Sequence, residues 1–125
     1  MKKLLFFNVI LLTMVSCTTS KKLVLADEKT DQITLKVGQP VEIQFTTNAS
    51  TGFWWQWTNS ADITVVDSVG NRYTSNAPKG MVGASSQRYW KFEAREKGTQ
   101  TLHFVYARQN RDEAIKQRDV TITVQ

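Results

Sequence analysis

The sequence predicts an all-β domain, with seven to eight short strands packed as a two-sheet antiparallel sandwich. Two patterns carry that reading: apolar and polar residues alternate with a period of two in successive runs, and clusters of Gly, Pro, Asn and Ser separate those runs. A third observation excludes the main alternative, because no segment sustains a 3.6-residue apolar period over the length of an ordinary helix.

Taken in order, Ile33, Leu35 and Val37 alternate with Thr34 and Lys36 until Gly38-Gln39-Pro40 supplies a turn. Val41, Ile43 and Phe45 alternate with Glu42, Gln44 and Thr46 in a second strand that runs into the loop Asn48-Ala49-Ser50-Thr51-Gly52. Beyond the loop, Phe53, Trp55 and Trp57 share one parity and Trp54 and Gln56 the other, so a strand here buries three rings and turns Trp54 outward. Ile63-Thr64-Val65-Val66 forms the next strand, followed by a turn at Val69-Gly70-Asn71-Arg72.

Residues Thr74 to Ser86 show no period and contain Pro78, Gly80 and Gly83, which reads as a second long loop. Trp90, Phe92 and Ala94 then share a buried face, and Glu96-Lys97-Gly98-Thr99 reverses the chain into a strand with Leu102, Phe104 and Tyr106 inward. The charged stretch from Arg108 to about Gln117 reads as a third loop, with a helical turn as the alternative, and Val120 to Val124 closes the chain.

A chain of 125 residues, 41% apolar and 22% charged, fits one globular domain. Its single cysteine leaves the sheets without a disulfide, so the aromatic residues must hold them together, each buried ring covering about 150–250 Å².

The amino terminus is a separate matter. Lys2 and Lys3 precede an apolar run, Leu4 to Val15, that is too short to span a bilayer and ends in Met14-Val15-Ser16-Cys17, which resembles a bacterial lipobox. Residues 1–16 are read as a lipoprotein signal peptide, Cys17 as the lipidated mature terminus, 17–30 as a lipid-anchored tether and 31–125 as the domain. The expected location is exported and lipid-anchored to a bacterial membrane, on its periplasmic or cell-surface side; the plain alternative is a chance free thiol. Loss of Lys2 and Lys3 lowers the formal charge from +5 to +3. With basic residues scattered, nucleic acid is not an expected partner.

Catalysis has no visible apparatus. The one histidine, His103, lies on the outward parity of its strand, and the carboxylate pairs Asp27-Glu28 and Asp112-Glu113 sit in charged stretches with nothing to raise a pKa. Gly80-Met81-Val82-Gly83 adjoins neither a clear strand nor a helix start, so no phosphate cradle is indicated. The chain is read as a non-enzyme without metal or cofactor.

What remains is three loops. In an immunoglobulin-like strand order the connections after the second, fourth and sixth strands emerge at one end, and the long loops 48–52, 78–85 and 108–116 occupy those places. Here the residues resemble a known family. Asn48-Ala49-Ser50-Thr51-Gly52-Phe53-Trp54-Trp55 is similar to the Asn-Pro-Thr-Thr-Gly-Phe-x-Trp motif of the chagasin family, immunoglobulin-like inhibitors of papain-type cysteine proteases. Gly80-Met81-Val82-Gly83-Ala84 stands where that family carries Gly-x-Gly-Gly. Gly98-Thr99 followed by Tyr106 and Arg108 resembles its Gly-Thr to Tyr-x-Arg-Pro-Trp segment. Ala49 replaces a proline, Ala84 a glycine, and Gln109-Asn110 the Pro-Trp pair.

The resemblance implies a reversible inhibitor, expected to be monomeric, that blocks a papain-type cleft with loop 48–52 as a central wedge and the other two loops as flanking grips. The protease-binding residues it implies are Asn48, Ala49, Ser50, Thr51, Gly52, Phe53 and Trp54 in the first loop. Gly80, Met81, Val82, Gly83 and Ala84 follow in the second, with Arg108, Gln109 and Asn110 in the third. The competing expectation is a non-catalytic surface binding or adhesion module on the same immunoglobulin-like scaffold, with a protein or carbohydrate ligand and Trp54 as its platform.

Overall fold

Eight strands appear in the computed structural model, which describes residues 22–48, 51–75, 85–108 and 114–125. They are β1 (Val24–Ala26), β2 (Gln32–Leu35), β3 (Pro40–Thr47), β4 (Phe53–Trp57), β5 (Val66–Ser75), β6 (Ser86–Ala94), β7 (Gly98–Arg108) and β8 (Lys116–Val124). One four-stranded sheet has the order β1-β3-β6-β5, the other β2-β8-β7-β4. The central pairings are antiparallel, and β1 and β2 join the edges in parallel to β3 and β8. This is the expected all-β, immunoglobulin-like sandwich.

The strand expected at Ile63-Thr64-Val65-Val66 is not formed, since Gln100 Oε1 takes the Thr64 and Val65 amides in place of a ladder and only Val66 enters β5; two further elements differ from the sequence reading. The turn expected at Val69-Gly70-Asn71-Arg72 is instead the middle of β5, which pairs with β6 from Val66 to Ser75 and absorbs the irregularity as a bulge between Ser68 and Gly70. An edge strand with most of its side chains in solvent has no buried parity to display, so Gly70 and Asn71 read as a turn. The second difference is β1, which takes three residues of the span read as tether into the sheet beside Val41 to Ile43. The carbonyl of Lys22 also accepts a bond from Gln39 Nε2 at 3.0 Å. Residues 1–16 and Cys17 lie outside the described residues.

Between the sheets the core has two textures. Ile33, Leu35, Val41, Ile43, Leu102, Val120, Ile122 and Val124 form a buried aliphatic half, contributed mostly by β2, β3 and β8. Phe45, Trp55, Phe92, Phe104 and Tyr106 form an aromatic half, with Trp57 and Trp90 packed against it. Ring centroids lie 4.8 Å apart for Phe45–Phe104, 5.2 Å for Phe45–Trp55 and 5.1 Å for Trp57–Phe92, within the range where tilted and edge-on rings attract. The rings fill the space that a disulfide would otherwise pin.

The connection from β4 to β5 is fixed by side chains that replace missing ladder bonds. Asn59 Oδ1 accepts from Trp57 Nε1 at 3.1 Å and from the His103 amide at 2.9 Å, and Gln100 Oε1 accepts from the amides of Thr64 and Val65 at 2.8 and 3.0 Å. Gly98, at φ +149°, starts β7 where any side chain would press on Val65 Cγ1, 3.1 Å from an added Cβ.

Candidate functional site

The registers bring three connections to one end of the sandwich. In the first sheet Thr47, at the end of β3, and Ser75, at the end of β5, both pair with Ser86 at the start of β6. In the second, Phe53 at the start of β4 pairs with Arg108 at the end of β7, while Tyr106 pairs with Lys116 at the start of β8. The loops leaving these ends are those the strand order predicts. Asn48, Thr51, Gly52, Phe53, Trp54 and Arg108 are described; Ala49, Ser50, Gly80, Met81, Val82, Gly83, Ala84, Gln109 and Asn110 lie outside the described residues.

Side chains of β7 hold the first loop at both ends, across the sheets at Asn48 and within the second sheet at Thr51. The Asn48 amide donates to Tyr106 Oη at 3.0 Å, so a buried ring of β7 holds the loop where it leaves β3. Thr51 folds back on Asn48, its amide and its Oγ1 donating to the Asn48 carbonyl at 3.2 and 2.7 Å. Gly52 takes φ +77°, the left-handed region that side chains resist. Arg108 Nε then donates to the Thr51 carbonyl at 3.1 Å while its guanidinium lies 4.6 Å over the Phe53 ring, which itself stacks on Tyr106 at 5.6 Å. Arg108, read from the sequence as a contact residue, therefore also fastens the first loop to the start of the third.

Below the loops two arginines point inward. Arg88 on β6 shares parity with Trp90, Phe92 and Ala94; its guanidinium lies 4.2 Å over the Trp90 ring and donates to the Trp55 carbonyl at 3.0 Å. Arg118 on β8 shares parity with Val120 and Ile122, lies 4.8 Å over Phe45, and donates to the carbonyls of Gln44, Asp27 and Thr30 at 2.6, 2.6 and 3.0 Å. Burial lowers the pKa of both, by disfavouring the charged form. Such groups stay protonated, because arginine starts far above neutrality and both engage ring faces and carbonyls. They close the mouth of the core beneath the loops, one toward each edge.

Sequence reasoning missed Tyr106 Oη, Arg88 and Arg118. Parity was the available signal, since both arginines occupy inward positions of strands whose other inward residues are apolar.

Trp54 faces outward as expected, 42% exposed. It rims a groove of about 400 Å³ whose walls include Phe53, Tyr73 and Arg88. His103 is outside this region on the outer sheet face, its Nδ1 2.6 Å from Asp119 Oδ1 in an exposed pair. Among the described residues no three His, Cys, Asp or Glu side chains gather as a metal site would need.

Comparisons with known proteins now bear on this geometry. The sequence model of the Chagasin family peptidase inhibitor I42 matches residues 34–124. A search of curated proteins finds no significant match. Among solved structures, the chain is similar to the cysteine protease inhibitor EhICP2 from Entamoeba histolytica at 25% identity and TM-score 0.67, covering 82% of this chain and 96% of that one. It shares its fold with Amebosin at 20% identity and TM-score 0.61, over 83% of this chain and 99% of the other. The fold is also that of PbICP-C, solved in complex with falcipain-2, at 15% identity and TM-score 0.50 over 84% and 91%. The match over most of the domain makes the identity plain: the chain belongs to the chagasin family of peptidase inhibitors, and it is an inhibitor and not an enzyme.

Proposed function

We propose that this chain inhibits cysteine proteases of the papain type reversibly and without a cofactor, with loop 48–52 as a wedge in the active-site cleft and loops 78–85 and 108–116 gripping its walls. The observation that carries the proposal is the double fastening of the first loop, by Tyr106 Oη at Asn48 and by Arg108 at Thr51. A loop fastened at both ends has less conformational freedom to lose on docking, which favours tight occlusion. The target is a groove with a reactive thiolate at its base. The side chains of Ser50 and Thr51 are small enough to fit beside it, and a loop that enters as a wedge occludes the nucleophile without presenting a well-aligned peptide carbonyl for cleavage. The description of EhICP2 as a cysteine protease inhibitor, and the falcipain-2 complex of PbICP-C, support this class of target.

Titration against a papain-type protease with a small fluorogenic substrate tests the proposal. Wild-type protein should inhibit at micromolar concentration or below, and Thr51→Arg should weaken inhibition at least 100-fold with an unchanged melting temperature. Undiminished inhibition by Thr51→Arg would remove loop 48–52 from the cleft. A wild-type protein with no inhibition would favour the binding or adhesion module, for which the exposed Trp54 beside its groove is the supporting observation.

Export and anchoring belong to the same proposal: the basic start, the apolar run and the lone Cys17 after Met14-Val15-Ser16 support a lipid-modified chain on a bacterial membrane, periplasmic or at the cell surface.

A further inference from the structure

The chain leaves the domain at the end opposite the three loops, and we infer that this geometry presents the loops away from the membrane with the other end of the sandwich resting on the lipid surface. The inference rests on the proposed anchoring at Cys17. β1 runs parallel to β3, with Val24 beside Val41 and Ala26 beside Ile43, and β3 climbs from Pro40 at the far end to Thr47 beneath the loops. Lys22 and Leu23 therefore lie at the foot of β3. The Lys22 carbonyl is bonded there to Gln39, whose own carbonyl accepts from the Ala94 amide at the close of β6.

Length makes the placement restrictive. Cys17 is five residue steps from Lys22, a reach of about 17 Å when fully extended. The eight residues of β3 alone span about 26 Å between the foot and the loops. A leash of that reach, tied at the foot, cannot let the sandwich stand inverted, loops on the headgroups and foot about 26 Å above them, without first stripping β1 from β3. The foot itself carries Lys22, Lys36 and Lys97 alongside Glu93 and Glu96, all exposed, so charges of both signs meet the surface. The orientation comes from the point of attachment and does not depend on an anionic lipid. Leu23 and Leu25, exposed beside the leash, supply apolar contact on that side. The partner surface is thus a lipid bilayer at the foot, and a protease is intercepted from the aqueous side.

The test uses the full lipidated protein in phosphatidylcholine vesicles, with a fluorophore on Lys97→Cys at the foot or Ser85→Cys at the loop end and a nitroxide quencher on the lipid headgroups. Strong quenching at position 97 with several-fold less at position 85 is expected, and Ki against a soluble papain-type protease should agree within twofold for anchored and detergent-released protein. Equal quenching at the two positions, stronger quenching at 85, or a tenfold loss of inhibition on anchoring would overturn the orientation while leaving the anchor in place. Mass analysis of the mature terminus and release by Cys17→Ala address the anchor itself: a chain without lipid at Cys17 overturns both.

Discussion

In the half of the core built mostly from β2, β3 and β8, Ile33, Leu35, Val41, Ile43, Val120, Ile122 and Val124 meet one another without a polar atom on any of their side chains. In the half built from β4, β6 and β7 the buried groups are rings, and several end in polar tips that leave the core. Trp55 Nε1 donates to the Thr46 carbonyl at 3.0 Å, Trp90 Nε1 to Ser68 Oγ at 2.8 Å, and Tyr106 Oη receives the Asn48 amide. Both halves exclude water. Only the aromatic half also transmits its packing to the loop end, because Trp55 and Tyr106 hold backbone groups of Thr46 and Asn48 where the chain enters the first loop. Stability and loop geometry are thus separable by position.

Three substitutions sharpen that separation, beginning with the largest effect. Ile122→Ala opens a cavity among aliphatic neighbours and should lower unfolding free energy by about 2–5 kcal/mol, measured by denaturant titration. The folded fraction should still inhibit a papain-type protease with wild-type Ki, and a tenfold weaker Ki from folded protein would break the comparison. Tyr106→Phe keeps the ring and removes the acceptor of the Asn48 amide, at a cost of about 1–3 kcal/mol. Its Ki should rise about tenfold, out of proportion to its stability loss beside Ile122→Ala. Gly52→Ala forces a side chain into φ +77° at a cost of about 1–2 kcal/mol. Its added Cβ would lie 4.0 Å from Arg108 Nε, so the strain is in the backbone and not a clash. The smallest stability change of the three should come with a measurable rise in Ki, and wild-type inhibition would show that the turn is not part of the working surface.

How much of this was legible follows from what each residue type reveals. β3, β4, β6, β7 and β8 were readable because one face is buried, which forces a period of two. β5 was not, since Val69, Asn71 and Tyr73 gain nothing from alternation at an exposed edge. β1 was missed because three residues are too few to show a period, and its partner lies 17 positions further along the chain. The first loop stood out through the rings that follow it, and its resemblance to a known motif supplied the expected target class. The fastening of that loop was hidden, because it depends on Tyr106 and Arg108 more than fifty residues away. Arg88 and Arg118 were hidden for another reason: arginine in a strand is ordinarily read as outward, and only the parity of its neighbours says otherwise.

The parallel pairing of β1 with β3 has a mechanical consequence. A force that holds the loops and pulls the amino-terminal end away from them drags β1 along β3, so their hydrogen bonds are loaded together in shear instead of opening one after another. The Gln39 bond to Lys22 lies at the point where that pull arrives. Under tension between a captured enzyme and whatever holds the other end, the sandwich is strung along the direction in which a short strand gives way least readily.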